Sequence, residues 1–329
     1  MRKILVVRYG TIGDTIFASA FLRELRSNLP DSQIDFLADK IAKEVIKNCP
    51  YINNIVDIKR KWKDILYYIN IFKNYDTIYF LKNDSFLTLT AFLAGVKNRI
   101  GFGILRNKFL TKTTPYKEDK NEIDCYLDLL KISGFNPMSD KTELWLKNDD
   151  DEKIKSELND INCKKVVIQA YSRFSQKNWI DDYWVEVITY LSNVKNCQVY
   201  YAGGNKDYEL YENLNKKLSE LKIKPVNLCG KLSVTESFAF IKNVDLFIGI
   251  DSGLIHAAAA LDIPSILLNG ATSLKRWTPR SDKCKILTKN FPCCPCCIQT
   301  GVKKGCKNQT PKCMIALTPN LVIDEIKKQ

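Results

Sequence analysis

The chain has 329 residues, 45% of them apolar, and a formal net charge of +13. That length suggests two domains of ordinary size with material for a core in each. The apolar residues never run long enough to span a bilayer, and the basic excess, mostly lysine scattered among asparagines, reads as a solvated surface before it reads as a polyanion site.

The chain opens on a buried-strand signal, Lys3 to Arg8, then a loop Tyr9-Gly10-Thr11-Ile12-Gly13-Asp14, then helical spacing from Thr15 to Leu29 that ends before Pro30. Arg8, Gly10, Gly13 and Asp14 interrupt what would have to be the apolar core of a signal peptide, so the reading is a cytoplasmic chain with its 12 cysteines reduced. Strands at 33–37, 55–58, 77–81 and 99–102 alternate with helices at 42–47, 62–72 and 86–94, and a helix at 124–132 follows. Such alternation implies a parallel sheet covered on both faces. Residues 148–165 are charged and polar, which fits a link and a surface helix, and the domains are expected at 1–155 and 156–329. A second alternation then begins: strands at 166–170, 198–202 and 226–228, and helices at 183–191, 209–221 and 233–241. Ser233 and Glu236 have capping-box spacing.

Asp245 to Pro264 reads DLFIGIDSGLIHAAAALDIP. It is a buried strand, a sharp turn at Asp251-Ser252-Gly253 and an alanine-rich helix that carries His256, the only histidine. A strand running through a Ser-Gly turn into a helix start makes an anion site, because the first helical amides lack partners and the dipole favours negative charge. The plainer alternative is that Asp251 or Ser252 only caps the helix. A strand at 265–268 is expected to close the series. In the first half, Tyr9 stands where a dinucleotide fingerprint would need its first glycine. The loop instead offers Asp14 at a helix start, as a cap or as a general base for a substrate hydroxyl. Ligands of such sheets lie at the carboxyl ends of the strands, so the substrate is expected in a cleft between the halves.

These features together resemble the family-nine glycosyltransferases, the lipopolysaccharide heptosyltransferases. The resemblance rests on the first strand followed by Gly13-Asp14, Lys177-Asn178-Trp179, Gly203-Gly204, Gly230-Lys231, Asp251-Ser252-Gly253 with His256 and Ala257–Leu261, Pro279, and Cys313-Met314. It implies a GT-B fold, an α/β architecture of two Rossmann-like, doubly wound domains facing across a cleft, with acceptor in the first and nucleotide sugar in the second. It further implies an inverting, metal-independent transfer of heptose from ADP-heptose to the anionic inner core of lipopolysaccharide, at the inner face of the cytoplasmic membrane. By matching position Asp14 would be the base, and Lys177, Asp207, Asp251, Ser252, Gly253 and His256 would hold the donor. Gly13, Arg99 and Arg106 are the candidates for the acceptor, the arginines as part of a basic group with Lys108 and Lys112. Tyr171-Ser172 and Phe174 depart from the small or polar residues expected before Lys177, which leaves another nucleotide sugar or acceptor open.

Half of the cysteines fall between Cys293 and Cys313. Cys293 and Cys296, or equally Cys294 and Cys297, have the spacing of one knuckle of a structural zinc or iron site that Cys306 and Cys313 could complete, with free thiols as the alternative, and the chemistry above requires no cofactor. A basic, zinc-containing nucleic-acid-binding protein is the rival class. It leaves the two Rossmann-like halves unexplained and has no stripe of aromatic and basic residues, so no nucleic acid is expected.

Overall fold

The computed structural model describes residues 1–59, 64–103, 108–158, 162–298, 301–302, 306 and 311–329. The chain divides into two compact units, Met1–Trp145 and Leu146–Gln329.

The first unit runs β1 (Lys3–Val7), α1 (Ile12–Asn28), β2 (Gln33–Ala38), α2 (Lys40–Ile46), β3 (Asn54–Asp57), α3 (Ile65–Phe72), β4 (Thr77–Phe80), α4 (Ser85–Leu93), β5 (Asn98–Gly103), β6 (Lys112–Pro115) and α5 (Glu122–Lys131). Its sheet has the order β3-β2-β1-β4-β5-β6, and every pairing is parallel. Ile4, Leu5, Val6 and Val7 are all buried, which is why β1 reads as a continuous apolar run: a central parallel strand has helices on both faces. Leu5 and Val7 pack with Tyr68, Phe72, Leu87 and Ala91 from α3 and α4, while α1 and α5 pack against one another.

The second unit begins with α6 (Asn148–Leu158) and continues β7 (Lys165–Gln169), α7 (Asp181–Thr189), β8 (Gln198–Tyr201), α8 (Tyr208–Ser219), β9 (Val226–Asn227), α9 (Val234–Lys242), β10 (Leu246–Ile250), α10 (Gly253–Ala260), β11 (Ser265–Asn269), α11 (Leu274–Trp277), β12 (Cys284–Thr288), the hairpin β13 (Cys297–Ile298) and β14 (Gly301–Val302), α12 (Lys312–Ile315) and α13 (Pro319–Ile326). Position 155, where the sequence reading divides the chain, lies inside α6. That helix packs on α9 and is tied to it by Lys153–Glu236 at 2.6 Å and Lys242–Asp151 at 2.8 Å. The main sheet is ordered β12-β11-β10-β7-β8-β9. Counted from β7, this is the same strand order as in the first unit. The series does not close at β11 as expected: β12 extends the sheet, an edge strand whose Cys284 is buried while Lys285 is exposed. β6 likewise adds an edge strand whose sequence, Lys-Thr-Thr-Pro, lacks apolar alternation.

Both sheets are doubly wound, so each has one place where the strand order reverses: between β1 and β4 in the first unit, and between β7 and β10 in the second. The loops leaving the carboxyl ends of these strand pairs diverge and leave room for a ligand. Asp14 follows β1, and Asp251 follows β10.

Candidate active site

In the first unit the loop after β1 turns at Gly10, whose φ of 133° suits glycine. Thr11 is the N-cap of α1 and Asp14 its third residue, and the two close a capping box. The capping alternative for Asp14 is therefore real, but it does not exhaust the residue. Asp14 Oδ1 also pairs with Arg8 Nη2 at 2.7 Å, and Oδ2 accepts from the Thr11 hydroxyl at 2.8 Å and its amide at 3.4 Å. Burial opposes the charged form, yet Arg8, the two Thr11 hydrogen bonds and the charge of Lys82 outweigh it and hold the carboxyl below the ordinary aspartate value. With 18% of its side chain exposed, Asp14 is an ionised carboxylate still open to solvent. Gly13 is buried within the first turn of α1.

Arg8 is 3% exposed and reaches Tyr126 Oη at 2.7 Å and the Tyr9 carbonyl at 2.6 Å. Lys82, just beyond β4, lies over the Tyr9 ring at 4.1 Å, and Tyr9 Oη donates to Asp84, the cap of α4. Arg99 is not brought to this loop. It sits in the early part of β5, level with Ile78 and Leu5, and its guanidinium donates to the carbonyls of Val96 and Phe109. Both lie before β5 and β6, at the end of the sheet opposite Asp14. The guanidinium thus ties two connections together, away from Asp14. Lys108 precedes β6 and Lys112 opens it, at that same end, and Arg106 lies outside the described residues.

In the second unit the chemistry gathers where β7 and β10 diverge. Asp251 is 6% exposed. Its Oδ2 pairs with Lys177 Nζ at 2.8 Å, and His256 Nε2, from the first turn of α10, lies 3.3 Å from Oδ1. Lys177 Nζ also donates to the Asp251 carbonyl at 3.1 Å. Burial by itself would raise the Asp251 carboxyl, but the hydrogen bond from His256 and the charge of Lys177 hold it well below the usual range. Ser252 occupies the N-cap position of α10, but its side chain makes no capping bond. The hydroxyl donates instead to Gln169 Oε1, at the end of β7. Gly249 makes that possible: it pairs with Gln169 across the strands, and a Cβ there would lie 3.0 Å from Gln169 Cβ. The result is a helix N-terminus with no side-chain cap, beside Gly253, a lysine and a histidine, an arrangement suited to an anion.

Each residue of Lys177-Asn178-Trp179 has a separate task. Asn178 Oδ1 accepts from the Ser172 amide at 2.9 Å and so closes the loop on itself. The Trp179 indole donates to the carbonyls of Met314 at 3.0 Å and Leu317 at 2.8 Å, and thereby binds the loop to α12 and its C-terminal edge. Lys177 is left to face Asp251, with 15% of its side chain exposed. One crossover away, Asp207 accepts from the Gly204 amide at 2.9 Å beside a depression of about 500 Å³ lined by Asn205, Lys206, Tyr208, Glu209 and Cys229.

The cysteine segment packs beside β11, with the Cys296 amide bound to the Ala271 carbonyl at 2.9 Å. Burial, together with the neighbouring thiols of Cys313 and Cys293, pushes the Cys294 thiol above the ordinary range. Among the described residues no three His, Cys, Asp or Glu side chains are grouped to hold an ion. Cys313 is within electrostatic reach of Cys293, Cys294 and Cys296, so members of both candidate knuckles lie near it.

Sequence reasoning missed Arg8, Lys82, Tyr126 and Gln169. Arg8 alone carried a signal: a charge directly after four apolar residues, at the carboxyl end of the first strand.

The chain is 27% identical over 331 residues to lipooligosaccharide heptosyltransferase 2 of Campylobacter jejuni, covering 99% of this chain and 97% of the relative. Its fold is that of a family 9 glycosyl transferase from Veillonella parvula (TM-score 0.84, 19% identity, 99% and 96% of the two chains) and of the ADP-heptose lipopolysaccharide heptosyltransferase II of Escherichia coli (TM-score 0.81, 21% identity, 99% and 98%). These likenesses establish the GT-B class of fold, with two Rossmann-like domains. Residues 72–307 match the model of glycosyltransferase family 9 (heptosyltransferase), and with more than half of the chain inside that match, the protein belongs to that family of sugar-transferring enzymes.

Proposed function

We propose that the protein transfers heptose from ADP-heptose to the inner core of lipopolysaccharide, with inversion and without a catalytic metal. The carrying observation is the Lys177–Asp251–His256 cluster at an uncapped helix N-terminus, at the strand-order reversal of the second unit. In this reading the diphosphate lies against the amides at Ser252-Gly253 and the ammonium of Lys177, and the nucleoside lies towards Asp207. Asp14 takes the proton of an acceptor hydroxyl. The electron pair of that O–H bond forms the new bond to the anomeric carbon, while the sugar–phosphate bond breaks and its pair leaves with ADP. Fixed positive charge stabilises the leaving group. Asp251 is the one carboxylate at the turn, and Lys177 and His256 already engage both of its oxygens, which leaves poor material for a magnesium clamp. The first unit is then the acceptor domain and the second the donor domain.

Among the described residues no helix is long and apolar enough to cross a membrane; with the acceptor assigned here, the work would be done at the inner face of the cytoplasmic membrane. Thermal shift across a panel of nucleotide sugars tests the donor. At ~100 times its dissociation constant a true ligand stabilises by ~2.7 kcal/mol. Stabilisation by a uridine or guanosine sugar and none by ADP-heptose would overturn the assignment.

A further inference from the structure

We propose that Arg8 is the positioning residue for the base: its guanidinium fixes one oxygen of Asp14 and leaves the remaining lone pair of that oxygen as the landing place for the acceptor proton. The proposal rests on the reading of Asp14 as the base.

Three observations carry it. First, a helix cap needs no arginine. Thr11 already closes the capping box with Asp14, so the pairing with Arg8 is additional to the requirements of α1. Second, all three guanidinium nitrogens are committed. Nε is held by Tyr126 at 2.7 Å, Nη1 by the Tyr9 carbonyl at 2.6 Å and Nη2 by Asp14 at 2.7 Å. A planar fork anchored on α5 and on the loop backbone sets the direction of the third bond, which a lysine could not do. Third, the carboxylate lone pairs are unevenly used. Of about four acceptor positions on a carboxylate, Oδ2 gives two to Thr11 and Oδ1 gives one to Arg8. The position left is on Oδ1, the oxygen Arg8 orients.

The charges around Asp14 are few and identifiable. Arg8 comes from the end of β1 and Lys82 from beyond β4. Tyr126 and the buried Glu122 come from α5, with Glu122 accepting from Tyr116 at 2.9 Å, and Tyr9 bridges to Asp84. Arg8 interacts electrostatically with both Asp14 and Glu122. Its loss would leave Asp14 with Lys82 as its cation, so the acid limb of turnover should move to higher pH.

The test is the pH dependence of kcat for Arg8→Met, Arg8→Lys, Tyr126→Phe and Asp14→Asn, using ADP-heptose with inner-core lipopolysaccharide and with ADP affinity measured alongside. Arg8→Met should shift the acid limb upward by about 1 to 3 pH units, the usual effect of losing an adjacent cation. Arg8→Lys should keep the limb near its wild-type place but lower kcat by ~10-fold or more, because the charge remains and the alignment does not. ADP affinity should be unchanged in each. If Arg8→Met does not fold, Tyr126→Phe carries the test: it frees Nε and should lower kcat at constant ADP affinity. An inactive Asp14→Asn beside Arg8 and Tyr126 variants with wild-type kcat and limb overturns the role of Arg8 alone. A fully active Asp14→Asn overturns the base, and this proposal with it.

Discussion

Lys177→Met keeps the aliphatic stem and removes the ammonium, so it isolates the Lys177–Asp251 pair. At 2.8 Å and an effective dielectric of ~20, the pair attraction is about 6 kcal/mol. The desolvation of Lys177 that ends with the substitution offsets part of this, and breaking one side of a buried pair costs about 3 to 5 kcal/mol. We expect urea unfolding of the second unit to show a loss near ~3 kcal/mol. Asp251→Asn should cost less, because an amide oxygen still accepts from Lys177. The Lys177→Met/Asp251→Asn double variant should recover part of the loss, with a coupling of about 1 to 3 kcal/mol. The pH dependence has a definite sign. Asp251 is held down in the folded state, so the wild-type advantage is complete above the ordinary carboxylate pKa and vanishes as pH falls through the depressed value. A Lys177→Met variant within ~0.5 kcal/mol of wild type at neutral pH, the scale of a surface change, would refute the claim that the pair is buried and coupled.

Lys177→Ala and Asp251→Ala should weaken ADP binding in calorimetry, and undiminished affinity in both would put the donor elsewhere. Turnover should persist in EDTA, with circular dichroism followed in parallel because a chelator could strip metal from the cysteine segment; activity lost from an intact fold and restored by magnesium or manganese would contradict the metal-free reading. Asp151, which accepts from Lys155, Lys242 and Asn243, anchors α6 to α9. Burial opposes its ionisation, but those bonds bring its carboxyl down to about 2, so Asp151→Asn should cost on the order of 1 kcal/mol at neutral pH. That difference should fade as pH falls from the ordinary carboxylate value towards about 2, and equal stability of the two proteins at neutral pH would release α6 from this anchor.

The two sheets were legible because their central strands, β1, β7 and β10, are buried on both faces and so read as apolar runs without alternation. The edges were not: β6 is four residues with no apolar pattern, and β12 is a short strand that follows the one-turn helix α11. The turn at Asp251-Ser252-Gly253 was legible as a strand-to-helix turn, but the sequence could not tell that Ser252 forgoes capping for Gln169, which lies 83 residues away. Trp179 was visible as part of a motif, whereas its partners near the C-terminus are a tertiary fact. Arg99 looked like a candidate because basic residues cluster around it in the sequence. Strand direction places it at the end of the sheet that Asp14 does not occupy, which the sequence order does not reveal. Arg8 is the reverse case, a residue that read as the end of a strand and proved to hold the proposed base.

The most direct test of the account is transfer itself. Wild-type protein with ADP-heptose, inner-core lipopolysaccharide and EDTA should add one heptose to the acceptor by mass spectrometry, with the anomeric configuration inverted by NMR. Asp14→Asn should bind ADP as tightly and turn over ~100-fold more slowly or worse, the scale of a lost general base. Equal turnover of Asp14→Asn and wild type at saturating substrates, or a product that retains the donor configuration, would contradict the account.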